Sequence, residues 1–212
     1  MAPPLRDATI VKLGGSLASH PDLRAWLAAL VACNGRAIVV PGGGPFADAV
    51  RAAQPAIGFD DKAAHHMALL AMEQFGLALT CLEPDLYPIL RLEDVNAITR
   101  AARTPIFMPA HEAMHAAYDL PASWDLTSDS LAAWLAGKLG VRRVLFVKHG
   151  APFGEPPDLD ALAARGIVDP LCAGYLANAG AEAVFLGPGD HAKAHAAIFR
   201  RQARRLALVA RP

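Results

Sequence analysis

Apolar residues recur along the chain in two alternating rhythms. Short runs of about four to six, rich in β-branched side chains, read as buried strands, and longer stretches with apolar positions three and four apart read as amphipathic helices. Residues 8–13 form the first run and stop at Gly14-Gly15-Ser16; Leu23, Trp26, Leu27, Leu30 and Val31 then predict a helix that Asn34-Gly35 closes. A second run, 37–40, ends in Pro41-Gly42-Gly43-Gly44 ahead of a helix that begins near Phe46. Residues 60–76 predict a strong helix, opened by an Asp and aligning Ala64, Met67, Ala68, Ala71 and Phe75. After a break at 84–88, short strands at 89–90 and 105–107 bracket a helix that carries Glu93, Asp94, Val95, Ile98 and Ala101. The pattern continues with a helix at 128–140, a strand at 144–148, a Pro- and Gly-dense loop at 152–157, and helices at 158–165 and 170–179. A strand at 183–186, a helix at 190–201 and a last strand at 206–210 complete it.

Strands that alternate with helices in this way predict an α/β fold, a three-layer αβα sandwich around a mostly parallel sheet. No repeat, low-complexity stretch or polar linker divides residues 1–212, so a single domain is expected. In such sheets ligands sit beyond the carboxyl ends of the strands, which directs attention to the two glycine turns.

Composition narrows the class. Over 212 residues, 54% are hydrophobic, enough to build a core and to exclude intrinsic disorder. Lys and Arg number 20 against 20 Asp and Glu, so there is no overall field to attract a polynucleotide, and no nucleic-acid partner is expected. The basic cluster Arg200, Arg201, Arg204 and Arg205 reads as a solvated helix face. Three well-separated cysteines, Cys33, Cys81 and Cys172, fit neither a disulfide framework nor a zinc site, and a reducing cytoplasmic setting is expected. Neither a secretory leader nor an apolar run of the roughly 18 residues that span a bilayer is evident, so no membrane association is expected.

Gly14-Gly15 and Gly42-Gly43-Gly44 each stand between a strand and a helix. Glycine there permits either tight strand–helix packing or close approach of backbone N–H groups to an anion at a helix N-terminus. The dinucleotide signature Gly-x-Gly-x-x-Gly is absent, the second strand ends in Pro41 rather than an acid, and Gly137-Lys138 is followed by Leu139, so no P-loop is present. Lys12, two residues before the first turn, is expensive to bury unless an anion meets it, and a phosphate is the preferred partner over a lysine snorkelling from the strand edge.

Three segments carry a resemblance. Val11-Lys12-Leu13-Gly14-Gly15-Ser16, then Val40-Pro41-Gly42-Gly43-Gly44-Pro45, then Thr127-Ser128-Asp129 at a helix start resemble, in that order and spacing, the amino-acid kinase family of acetylglutamate, aspartate, uridylate and isopentenyl phosphate kinases. Ala64-His65-His66-Met67-Ala68, Ala71-Met72-Glu73-Gln74 and the segment 120–130 look most like the branch that phosphorylates an aminomethyl-furanmethyl phosphate in methanofuran and methylofuran biosynthesis. The resemblance implies the carbamate kinase-like fold, with the acceptor in the N-terminal half and ATP, with Mg2+ as counterion, in the C-terminal half. It also implies a homo-oligomer acting on a small molecule.

The same resemblance distributes roles. Lys12 and Asp129 would be catalytic, the lysine bridging the transferred phosphoryl group and the carboxylate orienting lysine donors; capping its helix is the other use open to Asp129. Gly14, Gly15, Ser16, Gly43 and Gly44 would bind phosphate. Asp48, His65, Asp125 and Thr127 would contact the acceptor, a carboxylate such as Asp48 or Asp125 meeting an ammonium group and His65 a phosphate. Ser128, Lys148 and Gly150 would serve the nucleotide, and no protein ligand for a metal is named. Two departures stand out. Lys148-His149-Gly150 replaces the acid-Gly turn of many members, and Gly166-Ile167-Val168-Asp169-Pro170 offers an acid where others carry a second lysine. Lys148 is the residue able to take over that charge; without it, the chain would resemble the non-catalytic molybdenum storage branch.

One competing motif remains. His111-Glu112-Ala113-Met114-His115 fits His-Glu-x-x-His, which binds zinc on a helix. The extended zinc motif fails, since the chain continues through Asp119 and Leu120 with no downstream Gly and His, and Pro109 and Pro121 leave room for barely two turns, so a solvated helix is the expectation.

Overall fold

The computed structural model describes residues 5–115, 120–150, 153 and 156–199. Six strands, all parallel, form one sheet in the order β3-β4-β2-β1-β5-β6. They are β1 Thr9–Leu13, β2 Ala37–Pro41, β3 Leu86–Ile89, β4 Thr104–Phe107, β5 Arg143–Val147 and β6 Glu182–Leu186. The helices between them are α1 Leu23–Val31, α2 Gly44–Ile57, α3 Asp61–Leu82, α4 Val95–Arg100, α5 Pro109–His115, α6 Ser128–Leu139, α7 Leu159–Ala164, α8 Cys172–Ala179 and α9 Ala194–Phe199.

Side-chain alternation along the central strands builds a core on each face of the sheet. Val11 and Leu13 of β1, Val39 of β2 and Leu145 and Val147 of β5 face α1 and α9, where Trp26, Leu27, Leu30 and Ile198 are buried. Ile10, Ile38, Val40, Val144 and Phe146 face the other way, toward α6, α8 and Leu69 and Met72 of α3. Lys12 shares the parity of Ile10, so its side chain belongs to the α6 face. Helix α6 is buried along nearly its whole length, from Ser128 to Ala136, because it lies between the sheet and α8.

Several elements differ from the sequence reading for definable reasons. Helix α3 runs six residues beyond Gly76, to Leu82, since Leu79 finds a buried site beside Phe75. Strand β3 begins within the expected break at 84–88 and passes through Pro88 to Ile89; β3 is an edge strand, where a residue without an N–H is tolerated. Strand β5 stops at Val147, releasing Lys148 from the sheet, and the expected helix at 190–201 begins as a 3-10 turn, His191–Lys193, before α9. The basic cluster at 200–205, the expected strand at 206–210, Asp119 and parts of the loop at 152–157 lie outside the described residues. Among the described residues no helix is long and apolar enough to cross a membrane. Met67, Leu70 and Leu77 form an exposed apolar stripe on α3.

Candidate active site

The sheet extends from β1 in both directions, the chain up to Phe107 filling β2, β4 and β3 on one side and the later chain filling β5 and β6 on the other. A parallel sheet leaves a crevice where its connections diverge, beyond the carboxyl ends of the strands. Here that crevice is a cleft of about 830 Å³ between the ends of β1, β2 and β5, the first turns of α2 and α6, and helix α3.

Two glycine turns form one wall. Gly42 N–H donates to the Leu13 carbonyl at 2.8 Å and Gly14 N–H to the Val147 carbonyl at 3.1 Å, so the turns continue the β ladder. They press on each other backbone to backbone: a Cβ on Gly15 would fall 2.4 Å from the Gly44 nitrogen, and one on Gly42 would fall 2.5 Å from the Gly15 nitrogen. Gly44 adopts φ +53° as it starts α2, a conformation that favours glycine. The packing reading of these glycines therefore holds, and Gly14, Gly15, Gly43 and Gly44 also line the cleft, as does Ser16.

At the floor, Asp129 lies between two lysines. Lys12 Nζ is 2.8 Å from Asp129 Oδ1, and Lys148 Nζ is 2.5 Å from Asp129 Oδ2; the Asp129 side chain is 3% exposed. Lys148 also donates to the Ile167 carbonyl. Burial pulls the Asp129 carboxyl upward, but the two ammonium groups outweigh it and hold the group below its ordinary range. For Lys148, burial and then the charge of Lys12 lower its proton affinity against the opposing pull of Asp129. The trio places two cations around one anion, all three side chains largely buried.

Asp129 does not cap its own helix. Thr127, at the N-cap, makes no capping bond with its side chain. Instead Asp169, from the loop before α8, accepts from the N–H groups of Thr127 and Ser130 at 2.9 Å each through Oδ2, and from the Thr127 hydroxyl at 2.6 Å through Oδ1. The acid noted where the resemblance would place a second lysine thus serves as a tertiary cap. Lys148, 19 residues along the chain from Asp129, supplies the second cation.

The opposite side of the cleft is mixed in character. Asp48, Arg51, His65, Ala68, Met72 and Trp124 line it. The Arg51 guanidinium lies 4.7 Å from the Trp124 ring centroid and 3.0 Å from Asp48 Oδ1, while Trp124 Nε1 donates to Gln54 Oε1 at 2.9 Å, pinning the segment before α6 onto α2. His65 is buried rather than surface-exposed, and burial lowers its proton affinity; the Ser123 backbone opposes that shift and His66 adds to it. Thr127, Ser128 and Lys148 line the cleft, whereas Asp125 is exposed and Asp125 and Gly150 stand outside its lining. Arg51 and Trp124 escaped the sequence reading, because an Arg in mid-helix and a Trp in a loop carry no local sign that they will stack.

The His-Glu-x-x-His segment is turned to other work. Helix α5 has seven residues, the His111 and His115 rings stand 5.5 Å apart, and Glu112 Oε1 accepts from the Leu92 N–H at 2.9 Å. Among the described residues no group of three His, Cys, Asp or Glu side chains is placed to hold a metal ion.

The chain and its fold resemble known proteins. The model of the Amino acid kinase family matches residues 7–150. The chain is 29% identical over 143 residues to [5-(aminomethyl)furan-3-yl]methyl phosphate kinase of Methanocaldococcus jannaschii, a match that takes in 64% of this chain and 63% of the relative's length. The fold resembles uridylate kinase from Archaeoglobus fulgidus, with a TM-score of 0.65, 16% identity, and 89% of this chain and 95% of that one covered. It also resembles UMP kinase from Ureaplasma parvum, with a TM-score of 0.59, 15% identity, and coverage of 85% and 89%. The three glycine and acid segments that build the cleft lie inside the matched region, and the chain belongs to the amino acid kinase family.

Proposed function

We propose that the protein is an ATP-dependent phosphotransferase acting on a small phosphorylated acceptor, with an aminomethyl-furanmethyl phosphate as the acceptor and its diphosphate as the product. The observation that carries the reading is the Lys12–Asp129–Lys148 trio facing two interlocked glycine turns. The relative from Methanocaldococcus jannaschii supports the choice of acceptor.

In this reaction a phosphate oxygen of the acceptor attacks the γ-phosphorus of ATP, the bond from that phosphorus to the β,γ-bridging oxygen breaks, and ADP leaves. A phosphate dianion carries no proton on the attacking oxygen, so no general base is required. What the reaction requires is charge neutralisation and alignment. In this reading Lys12, near the end of the central strand, bridges the acceptor phosphate and the γ-phosphoryl group of ATP; Lys148 enters from the β5 side and neutralises charge on the nucleotide. Asp129 holds both ammonium groups apart and in place before substrate arrives. The N–H groups of the two glycine turns, with the N-terminus of α2, supply further positive potential.

In this reading the donor lies on the side of Lys148, His149 and residues 166–170 and the acceptor between α2, α3 and Trp124, all of which line the cleft. Arg51, His65 and Asp48 suit an acceptor that bears phosphate at one end and an ammonium group at the other. Both oxygens of Asp129 face lysines and both oxygens of Asp169 accept from α6, so neither is free for Mg2+, which enters on the nucleotide phosphates. The apolar stripe on α3 supports a homo-oligomer, and the free cysteines support a reducing cytoplasmic setting.

The test is ADP release from Mg-ATP with aminomethyl-furanmethyl phosphate, UMP, isopentenyl phosphate and acetylglutamate as acceptors, comparing wild type with Lys12→Ala. Turnover dependent on the furan phosphate and lost in the variant is the expected result. Turnover with another member of the panel reassigns the acceptor, and ATP binding without turnover makes the chain a nucleotide-binding relative instead.

A further inference from the structure

Asp169 has no place in the phosphoryl-transfer chemistry above, yet it is a charged side chain in the cleft lining, nearly buried, with both oxygens engaged on a neighbouring element. Its three partners are all in the N-cap residue and first turn of α6, the turn that also carries Asp129. The separation is wide, 42 residues between Asp169 and Thr127, so the contact ties two loops together rather than finishing one helix locally. On one side is the segment 120–127, which brings Trp124 and Leu126 to the acceptor side. On the other is the segment 166–170, which faces the donor side.

A second tie runs parallel to the first. Lys148 Nζ bonds both to Asp129 and to the Ile167 carbonyl, two residues before Asp169. The connections close a ring: Asp129 to Lys148, Lys148 to Ile167, the backbone to Asp169, and Asp169 back to Thr127 and Ser130 beside Asp129. The Asp169 carbonyl also accepts from Cys172 N–H at 3.1 Å, anchoring the ring to the start of α8. A carboxylate that accepts two N–H groups at a helix N-terminus is strongly held there by charge and by the helix dipole. Thr127 and Ser130 N–H groups are thereby unavailable to a phosphate, which leaves anion binding to the glycine turns and the lysines.

We infer that Asp169 is a positioning residue: by capping α6 from outside, it fixes Asp129 and the Ile167 carbonyl as the two grips that aim the Lys148 ammonium into the cleft. Its catalytic consequence rests on the phosphotransferase reading; its effect on Lys148 does not. Misplacing a charged group by about 1 Å costs up to about 100-fold in rate, so Asp169→Asn is expected to lower kcat by about 10- to 100-fold while KM for Mg-ATP changes little.

The experiment has two arms on the full chain. In the first, kcat and KM are measured for wild type, Asp169→Asn and Thr127→Val, well below each variant's unfolding temperature, so that lost stability does not register as lost rate. In the second, each lysine's acylation by an N-hydroxysuccinimide ester is timed by peptide mass spectrometry, which needs no turnover. Lys148 is expected to label several-fold faster in Asp169→Asn, and to a smaller degree in Thr127→Val, while exposed lysines such as Lys62 label at unchanged rates. Unchanged labelling of Lys148 in both variants overturns the inference. So does a raised KM for Mg-ATP with kcat unchanged, which would make Asp169 a direct contact to the nucleotide. If wild type turns over no acceptor, the functional reading fails, and the labelling arm alone decides the role of Asp169.

Discussion

Replacing Asp129 by Asn tests the electrostatic heart of the cleft. The substitution keeps the size of the side chain and removes one charge, leaving Lys12 and Lys148 facing each other across a neutral amide. At 2.8 and 2.5 Å each ion pair amounts to about 6 kcal/mol of attraction at an effective dielectric of about 20. Withdrawing three charged groups from water offsets much of that attraction, so the trio contributes far less than its summed Coulomb energy. Removing one partner is different, because the remaining ammonium groups stay buried without compensation, and a loss of about 3–5 kcal/mol is expected. For a chain of this size that corresponds to a fall of about 6–20 °C in Tm. Urea titration and calorimetry at pH 7 measure it. Adding Lys148→Met to Asp129→Asn removes one of the stranded cations and should recover part of the loss, which a double-mutant cycle reads directly. Inorganic phosphate should stabilise Asp129→Asn more than wild type, since it binds the folded state at the vacated negative position. A variant within about 1 kcal/mol of wild type, with no added response to phosphate, would refute the three-charge arrangement.

Three further outcomes follow from the geometry. Because the Asp129 carboxyl is held below its ordinary value of 3.8, its stabilising effect is complete above that value and is lost as pH falls through the depressed folded one; Lys148, with its affinity lowered from 10.5, adds stability as pH rises from its folded value toward 10.5. Acid and alkaline unfolding of wild type against Asp129→Asn and Lys148→Met separate the two effects. Gly15→Ala forces a Cβ onto the Gly44 backbone and should cost about 1–3 kcal/mol, whereas Gly174→Ala, in α8 with nothing within 4 Å, should stabilise by about 0.4–1 kcal/mol. Arg51→Gln should raise KM for a phosphorylated acceptor about tenfold, equivalent to about 1.4 kcal/mol, and leave KM for ATP unchanged; steady-state kinetics with each substrate varied in turn checks the split.

Much of this architecture was legible because parallel sheets declare themselves locally. The runs at 8–13 and 37–40 have no charged side chain to place except Lys12, and that exception marked the site. The expected acidic helix start at Thr127-Ser128-Asp129 was also visible. What stayed hidden depends on contacts between distant segments. Pro88 looked like a break because sequence does not reveal which strand will stand at the edge of the sheet. Asp169 stood out only as an acid in the place of a second lysine, because nothing near it in the chain indicates that its partners are Thr127 and Ser130. Asp125 was selected on charge alone, and it faces solvent while its neighbour Trp124 bonds to Gln54 of α2.

The interlocking of the two glycine turns has a mechanical consequence. With Gly15 seated against Gly44 and Gly42 against Gly15, atoms that belong to different β–α units have no clearance between them. One turn cannot shift without carrying the other, so the wall they form behaves as a single rigid plate spanning the ends of β1 and β2. Accommodation of acceptors of different length falls to the facing wall, where side chains rather than backbone set the width: Arg51 on Trp124, with Met72 also in the lining. A change of acceptor within this scaffold is therefore a matter of substitutions on α2, α3 and the segment before α6, with the plate left as it is.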